Sequence, residues 1–522
     1  MKIVINQVRL LFLISMLIQS FASSAEPEKN VFDIMEYRIQ GNTVLSTDNI
    51  EQAVYPFLGE AKSIDDVELA RSALEKTFHD AGFLTVLVNI PEQDVGLGVV
   101  KLEVVEGKVG KIRVLGANYY ALGAIKHKVP DFTEGRIPNF TQIQKQMAAV
   151  NGGSDRSVTP ILRASKTPGK VEVDLKVQDS LPFHTGIELN NRYSNNTTET
   201  RLSGYMRYDN LFQAGHSLSL GFQVTPEDLN ETKVLSGTYM IPYGGDYWVM
   251  YGVVSKSNIS AVGDYKVIGN GNIVGMRYIH PLSALKTYYH SLTMGVDYKD
   301  FKETVGVLGS DSFNTPIAYT PFNMGYDATL KGEESTTQLN AGVTFSLRGL
   351  GNDEQEFANK RYLAKSDFAY VRAGVKHTQN IYKGWQMYTN LNGQLSNQPL
   401  ISSEQFLAGG LDTVRGYLEA TSFGDQGINA SFELRTPPLA KYVSDKIADM
   451  HGLAFYDAAH LSVNNPLPNQ TDTFNLASYG LGLRLKGWHK MFAQIELAKV
   501  LRSAGPVVEG DSRLHFRVGY DW

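Results

Sequence analysis

The chain closes on Arg513-Leu514-His515-Phe516-Arg517-Val518-Gly519-Tyr520-Asp521-Trp522. Large apolar residues take every second position, and charged or small residues fall between them. A period of two places the two sets on opposite faces of an extended strand. The pattern recurs upstream. Leu218, Leu220, Phe222 and Val224 alternate with Ser217, Ser219, Gly221 and Gln223. Leu292, Met294, Val296 and Tyr298 alternate with Thr293, Gly295, Asp297 and Lys299. Leu339, Ala341, Val343 and Phe345 do so with Asn340, Gly342, Thr344 and Ser346, and Ile428, Ala430, Phe432 and Leu434 with Asn429, Ser431, Glu433 and Arg435. A soluble sandwich also alternates. Three features point instead to a cylinder set in lipid. The strands run about 9–12 residues, the length of a tilted membrane crossing. Their polar faces carry charges, as a wet lumen requires. Aromatics gather at strand ends, with Tyr239, Tyr243, Tyr247 and Trp248 around an expected turn at Pro242.

Composition agrees. The 522 residues include 27 Tyr, 24 Phe and 48 Gly, which suits many short strands better than long helices. A net charge of −5 argues against a nucleic-acid binder. The chain has no cysteine, which removes disulfides, zinc–thiolate sites and cysteine nucleophiles. No G-x-S-x-G, H-E-x-x-H or P-loop is present, and the 11 histidines are scattered. No enzyme activity, cofactor or metal is therefore expected.

Lys2 and Arg9 precede the apolar run Leu10–Ile18, and Ser23 and Ala25 supply the small residues of a cleavage site. Residues 1–25 read as a secretory signal peptide, with the exported chain beginning at Glu26. Residues 31–179 mix helical and strand periods and read as a duplication. Tyr37-Arg38-Ile39-Gln40-Gly41-Asn42 resembles Ile112-Arg113-Val114-Leu115-Gly116-Ala117. Each copy reads β-α-α-β-β, over 31–107 and 108–179. Ser63 and Asp66 form a capping box ahead of the first long helix, which Gly82 ends.

Residues 183–522 read as sixteen strands near 184–193, 200–210, 216–226, 232–242, 246–257, 270–280, 289–301, 336–348, 366–378, 384–395, 402–408, 426–435, 451–459, 474–486, 490–499 and 511–522. An even count leaves both barrel ends on one side. Links after odd strands then face outward. The long links 302–335 and 409–425 fall outside, while 349–365 and 436–450 fall on the inner side and are long for it.

Two α+β repeats ahead of a sixteen-stranded all-β transmembrane barrel resemble the two-partner secretion transporters, within the superfamily of POTRA-containing outer-membrane assembly factors. Two motifs carry the resemblance. Val414-Arg415-Gly416-Tyr417 matches the family's V-R-G-[FY] loop after strand eleven. Phe455-Tyr456-Asp457-Ala458-Ala459 resembles its F-x-D-x-G strand, with Ala459 where glycine is usual. The terminal strand, with Phe516, Val518, Tyr520 and Trp522, resembles the signal by which bacterial outer-membrane barrels are recognised for assembly.

The resemblance implies a bacterial outer-membrane translocase with its repeats in the periplasm. It implies that Arg415, on a loop folded into the lumen, pairs with Asp457. The implied partners are an unfolded secreted exoprotein, outer-membrane lipid and the barrel-assembly machinery; nucleic acid is not among them. A barrel-assembly insertase and a passive porin-type channel are the alternatives. Asp457 shares its parity with Leu453 and Phe455, so either those residues also face the lumen or a bulge intervenes. Relatives often carry an N-terminal plug helix. Too few residues follow Glu26 to hold one, which leaves more of the closing to the loop around Arg415.

Overall fold

The computed structural model describes residues 31–257, 259–262, 265–268, 270–306, 312–487 and 490–522. The expected signal peptide lies outside the described residues. The described chain forms two units, one ending at Leu181 and the other running from Pro182 to Trp522.

The first unit holds two modules whose three-stranded sheets share one topology; the first module adds a small two-stranded sheet that the expected β-α-α-β-β order lacks. In the first, β1 (Phe32–Ile34), β2 (Glu36–Gln40), β3 (Gly59–Lys62), β4 (Val86–Asn89) and β5 (Val99–Glu106) accompany α1 (Thr47–Val54) and α2 (Ile64–Asp80). β2 runs parallel to β5, and β4 pairs antiparallel with the other edge of β5. In the second, β6 (Lys108–Leu115) runs parallel to β8 (Lys170–Asp179), and β7 (Arg156–Ala164) pairs antiparallel with it. Helices α3 (Leu122–His127) and α4 (Phe140–Val150) cover that sheet.

The repeated glycines have one physical cause. Gly41 and Gly116 both sit at positive φ, and a Cβ would run into the carbonyl oxygens of Val104 and Val177, respectively. Two residues past each valine stands an acid. Glu106 accepts from the Thr43 backbone N–H at 2.5 Å. Asp179 accepts from the backbone N–H groups of Asn118, Tyr119 and Tyr120 at 2.8–3.1 Å. Each acid thus ties down the chain leaving a tight glycine turn. The modules are joined through Asn139. It caps α4, and its amide donates to the Ala81 carbonyl at 3.1 Å, just before Gly82 ends the α2 segment.

The second unit is a closed antiparallel barrel of sixteen spanning strands among the described residues. They are β9 (Phe183–Asn190), β10 (Arg201–Leu211), β11 (His216–Val224), β12 (Lys233–Tyr243), β13 (Asp246–Lys256), β14 (Gly271–Pro281), β15 (Tyr288–Gly306), the interrupted pair β16 (Ser312–Tyr319) and β17 (Pro321–Lys331), then β18 (Ser335–Ser346), β19 (Ala369–Asn380), β20 (Gln386–Ser396), β21 (Gln426–Arg435), β22 (Ile447–Ser462), β23 (Thr473–Gly487), β24 (Met491–Val500) and β25 (Ser512–Asp521). β25 closes on β9, from Arg517 opposite Asn190 to Asp521 opposite Gly186.

Burial is inverted relative to a soluble sandwich. Leu220 and Ile428 are 42% and 53% exposed on the outer face, whereas Gln394 and Glu496 are 1% and 0% exposed inside. An outward apolar band around a polar interior is the arrangement that lipid selects.

Several expectations need correction. The sequence pattern assigns 302–335 to an external link, whereas β16 and β17 there form one spanning strand along β15. Pro316 and Pro321 disguise it, because proline is rare within central strands. Here Pro321 sits beside the break at Thr320, where β15 passes from pairing with β16 to pairing with β17. Conversely, 402–408 does not span. Ser402–Glu404 is a 3-10 turn, and Phe406–Ala408 pairs with Ser422–Gly424 inside a loop. The two differences offset each other, so the barrel keeps sixteen spanning strands with a different membership. The sidedness of the links between them changes. The 347–368 link lies at the long-loop end, and 381–385 becomes a short turn at the other. The turn placed at Pro242 is formed by Gly244-Gly245, with Pro242 paired to Tyr247 within the hairpin. The link 436–446 remains the longest at the short-turn end and contains its own 3-10 turn, Ala440–Tyr442.

Candidate functional site

The site is built on the loop 397–425, which leaves β20 at the long-loop end and returns into the barrel. Its short hairpin carries a tip that bends at Gly409, Gly410 and Gly416, all at positive φ. That geometry strains any residue with a Cβ. At the tip Val414 and Tyr417 are fully buried and pack with Ala459 and Leu461 of β22, Leu476 of β23 and Val500 of β24. The Tyr417 hydroxyl donates to the Arg502 carbonyl at 2.6 Å and accepts from the Ala477 N–H at 3.2 Å.

Between them lies Arg415, 3% exposed. Its Nε and Nη2 each donate to Asp457 at 2.7 Å, one to each carboxylate oxygen. The Arg415 backbone N–H adds a third bond to Asp457 at 3.1 Å. This parallel fork fixes orientation as well as charge. Asp457 also accepts from Ser431 at 2.7 Å. The face of the Phe455 ring lies 3.5 Å from the guanidinium carbon, a cation–π contact in a dry setting. Phe455, Asp457 and Leu453 are all buried and inward-facing, and the β21–β22 register is continuous across them. The parity question is therefore settled without a bulge: the apolar residues of β22 face the lumen because the loop covers them.

The alternation did not single out the other carboxylates. Arg415 Nη1 donates to Glu433 at 2.8 Å and to Glu496 at 3.0 Å. Arg484 bridges the same two acids, at 2.8 Å to Glu433 and 2.7 Å to Glu496, and Arg435 reaches Glu433 at 2.6 Å. Arg415, Arg435 and Arg484 thus balance Glu433, Asp457 and Glu496. A buried charge needs such pairing to be tolerated. A usable signal existed: Glu433 stands on the polar face of a strand whose other face is apolar, so its charge points inward. A further contact missed at that level is His515 on the terminal strand, whose Nε2 accepts from the Gly416 N–H at 2.8 Å.

On the terminal strand, Leu514, Val518 and Trp522 are exposed on the outer face, with Phe516 and Tyr520 of the same parity half-buried. The Trp522 N–H donates to the Thr185 carbonyl at 2.8 Å. Arg517 pairs with Glu188 across the seam at 2.6 Å. The loop tip borders a cavity of about 1470 Å³, whose walls include Ser219, Thr238, Asn392, Arg484 and Arg517. The arrangement is a wet vestibule walled in part by a loop that a charge cluster holds down.

Comparison with known proteins agrees with this geometry. The family model described as haemolysin secretion/activation protein ShlB/FhaC/HecB matches residues 169–485, and that of the ShlB-type POTRA domain matches residues 32–107. The heme/hemopexin transporter protein HuxB of Haemophilus influenzae is 21% identical over 484 residues, covering 88% of this chain and 82% of that protein. The outer membrane transporter CdiB of Dickeya dadantii is 23% identical over 413 residues, covering 76% and 71%. The solved structure of CdiB from Escherichia coli superposes with a TM-score of 0.67 at 18% identity, covering 96% of this chain and 92% of that one.

Proposed function

The chain belongs to the haemolysin secretion/activation protein family ShlB/FhaC/HecB, and we propose that it moves one exported partner protein, in extended form, through its barrel to the cell surface. It is an outer-membrane protein whose α+β modules lie in the periplasm. The observation that carries the reading is the inward-folded loop. Arg415 is buried in a balanced cluster beside a wet vestibule, so the loop is held by strong but reversible contacts where a passing chain must go.

Residues 31–107 and 108–179 act as the receiving modules. β7 lies at one edge of its sheet next to α4, and Ile161 and Leu162 on it are exposed. A strand edge with unpaired backbone groups binds an extended chain without demanding one sequence. No nucleotide-binding motif supplies energy, so the drive comes from the partner folding outside. Phe516, Val518, Tyr520 and Trp522 serve as the recognition strand for the barrel-assembly machinery, and the outer apolar band meets lipid. The chain acts as a transporter and has no enzymatic step.

The test is Arg415→Ala measured for partner secretion, with barrel assembly checked by heat-modifiable migration. Secretion is expected to fall at least about tenfold while assembly persists, because three carboxylates lose their shared cation. Undiminished secretion from an assembled variant would refute the role of the loop.

A further inference from the structure

A second charged joint, outside the family motif, lies at the base of the same loop. Asp425 is fully buried where the loop enters β21. Its carboxylate accepts from Arg361 Nη1 at 2.5 Å and Nη2 at 2.6 Å. It also takes the backbone N–H groups of Leu400 at 2.9 Å and Asn464 at 2.7 Å, and the Gln405 amide at 3.2 Å. Arg361 comes from the link 347–368, just after α5 (Glu354–Lys360). Asn464 comes from the link after β22. One carboxylate thus gathers three separate long-end loops.

A second buried acid pins the other arm. Glu404 accepts from Lys299 at 2.6 Å, Tyr319 at 2.5 Å and Tyr370 at 2.7 Å, on β15, β16 and β19. Between the two joints the loops make an apolar core with the inner wall. Phe357 and Phe368 of the 347–368 link pack edge-on against Tyr319 and tilted against each other, with ring centroids 5.5–6.0 Å apart. Ile273 and Phe301 of the wall and Leu400 of the loop complete it. Apolar residues on the inner face of a barrel are costly when the lumen is wet. They are stable here because α5 and its flanks cover them.

We propose that Arg361 and Asp425 are the latch of an outer gate: they clamp the links 347–368, 397–425 and 463–472 across the long-loop end, and a passing chain must part them. The gate is separate from the Arg415 cluster, which holds the loop tip deeper in the barrel. The proposal rests on the transport reading for its purpose, but leak through the resting barrel tests it without any partner.

The experiment compares the purified full-length exported chain with Arg361→Ala and Arg361→Lys in planar bilayers, with secretion followed in cells. Arg361→Ala is expected to raise time-averaged conductance roughly tenfold, since Asp425 loses its charged partner while three loops lose their tie. Arg361→Lys keeps the charge without the fork and should fall between. If Arg361→Ala does not assemble, Asp425→Asn is read in the same assay with the same expected rise. An assembled variant that conducts no more than the parent overturns the gate. Raised leak with no secretion from any version, parent included, upholds the gate and removes the transport reading.

Discussion

At the residue scale, the account turns on how many partners one guanidinium satisfies. Arg415 makes two bonds to Asp457 through its side chain and further bonds to Glu433, Glu496 and Ser431. Asp457→Asn should leave the fork without its charge and loosen the loop tip by about 3 kcal/mol. Limited proteolysis of the assembled barrel should then cut at 409–421, where the parent resists; equal resistance would show that the apolar contacts of Val414 and Tyr417 suffice. The pairing of Arg415 with Asp457 was implied by the motifs, since each sits in a recognisable context. The three-against-three balance was not legible. Glu433, Arg484 and Glu496 lie on three different strands, and the register of β21 to β24 in the curved sheet brings their inward faces together. Alternation tells which way a side chain points, not whom it meets.

At the element scale, two substitutions test the parts that sequence patterning handled worst and best. The strand interrupted at Thr320 was hidden by its prolines, yet Met324 and Leu330 on β17 keep an apolar outer face. Met324→Arg places a charge against lipid and should cost about 2–4 kcal/mol, reducing assembled barrel in outer-membrane fractions. Were that segment an external link, the substitution would be silent. The repeat, by contrast, was legible from Gly41 and Gly116, because only glycine fits against the Val104 and Val177 carbonyls. The acids that complete the turns were not singled out, since a lone acid at a strand end carries no periodic signal. Burial works against the ionised Asp179, but the N–H groups of Asn118, Tyr119 and Tyr120 outweigh it and hold its carboxyl below the ordinary range. A depressed carboxylate contributes stability above the unfolded-state value and loses it as pH falls through the folded one. Asp179→Asn should therefore destabilise residues 108–179 by about 1 kcal/mol at neutral pH, and the difference should shrink on acidification. A pH-independent difference in chemical denaturation would contradict this.

At the scale of the whole molecule, the fold class was readable because lipid imposes a simple rule: apolar outside, polar inside, no free edge. The strand count was right by compensation. Sidedness depends on which strands are counted: the link expected over 349–365 on the inner side lies over 347–368 at the long-loop end. Its correct position puts the long links together, where 347–368 and 397–425 fold inward over the lumen. The transport reading makes opposite demands on neighbouring residues of β20. Asn392 lines the vestibule, while Leu391, one position away, has the outward parity of the exposed Met387 and Leu395.

The most direct measurement places a photo-crosslinking residue at Asn392 or at Leu391 in cells actively secreting the partner protein. Capture of the partner from position 392 and not from 391 is the predicted result. Capture from 391 alone, or from neither during sustained secretion, would contradict passage through the lumen.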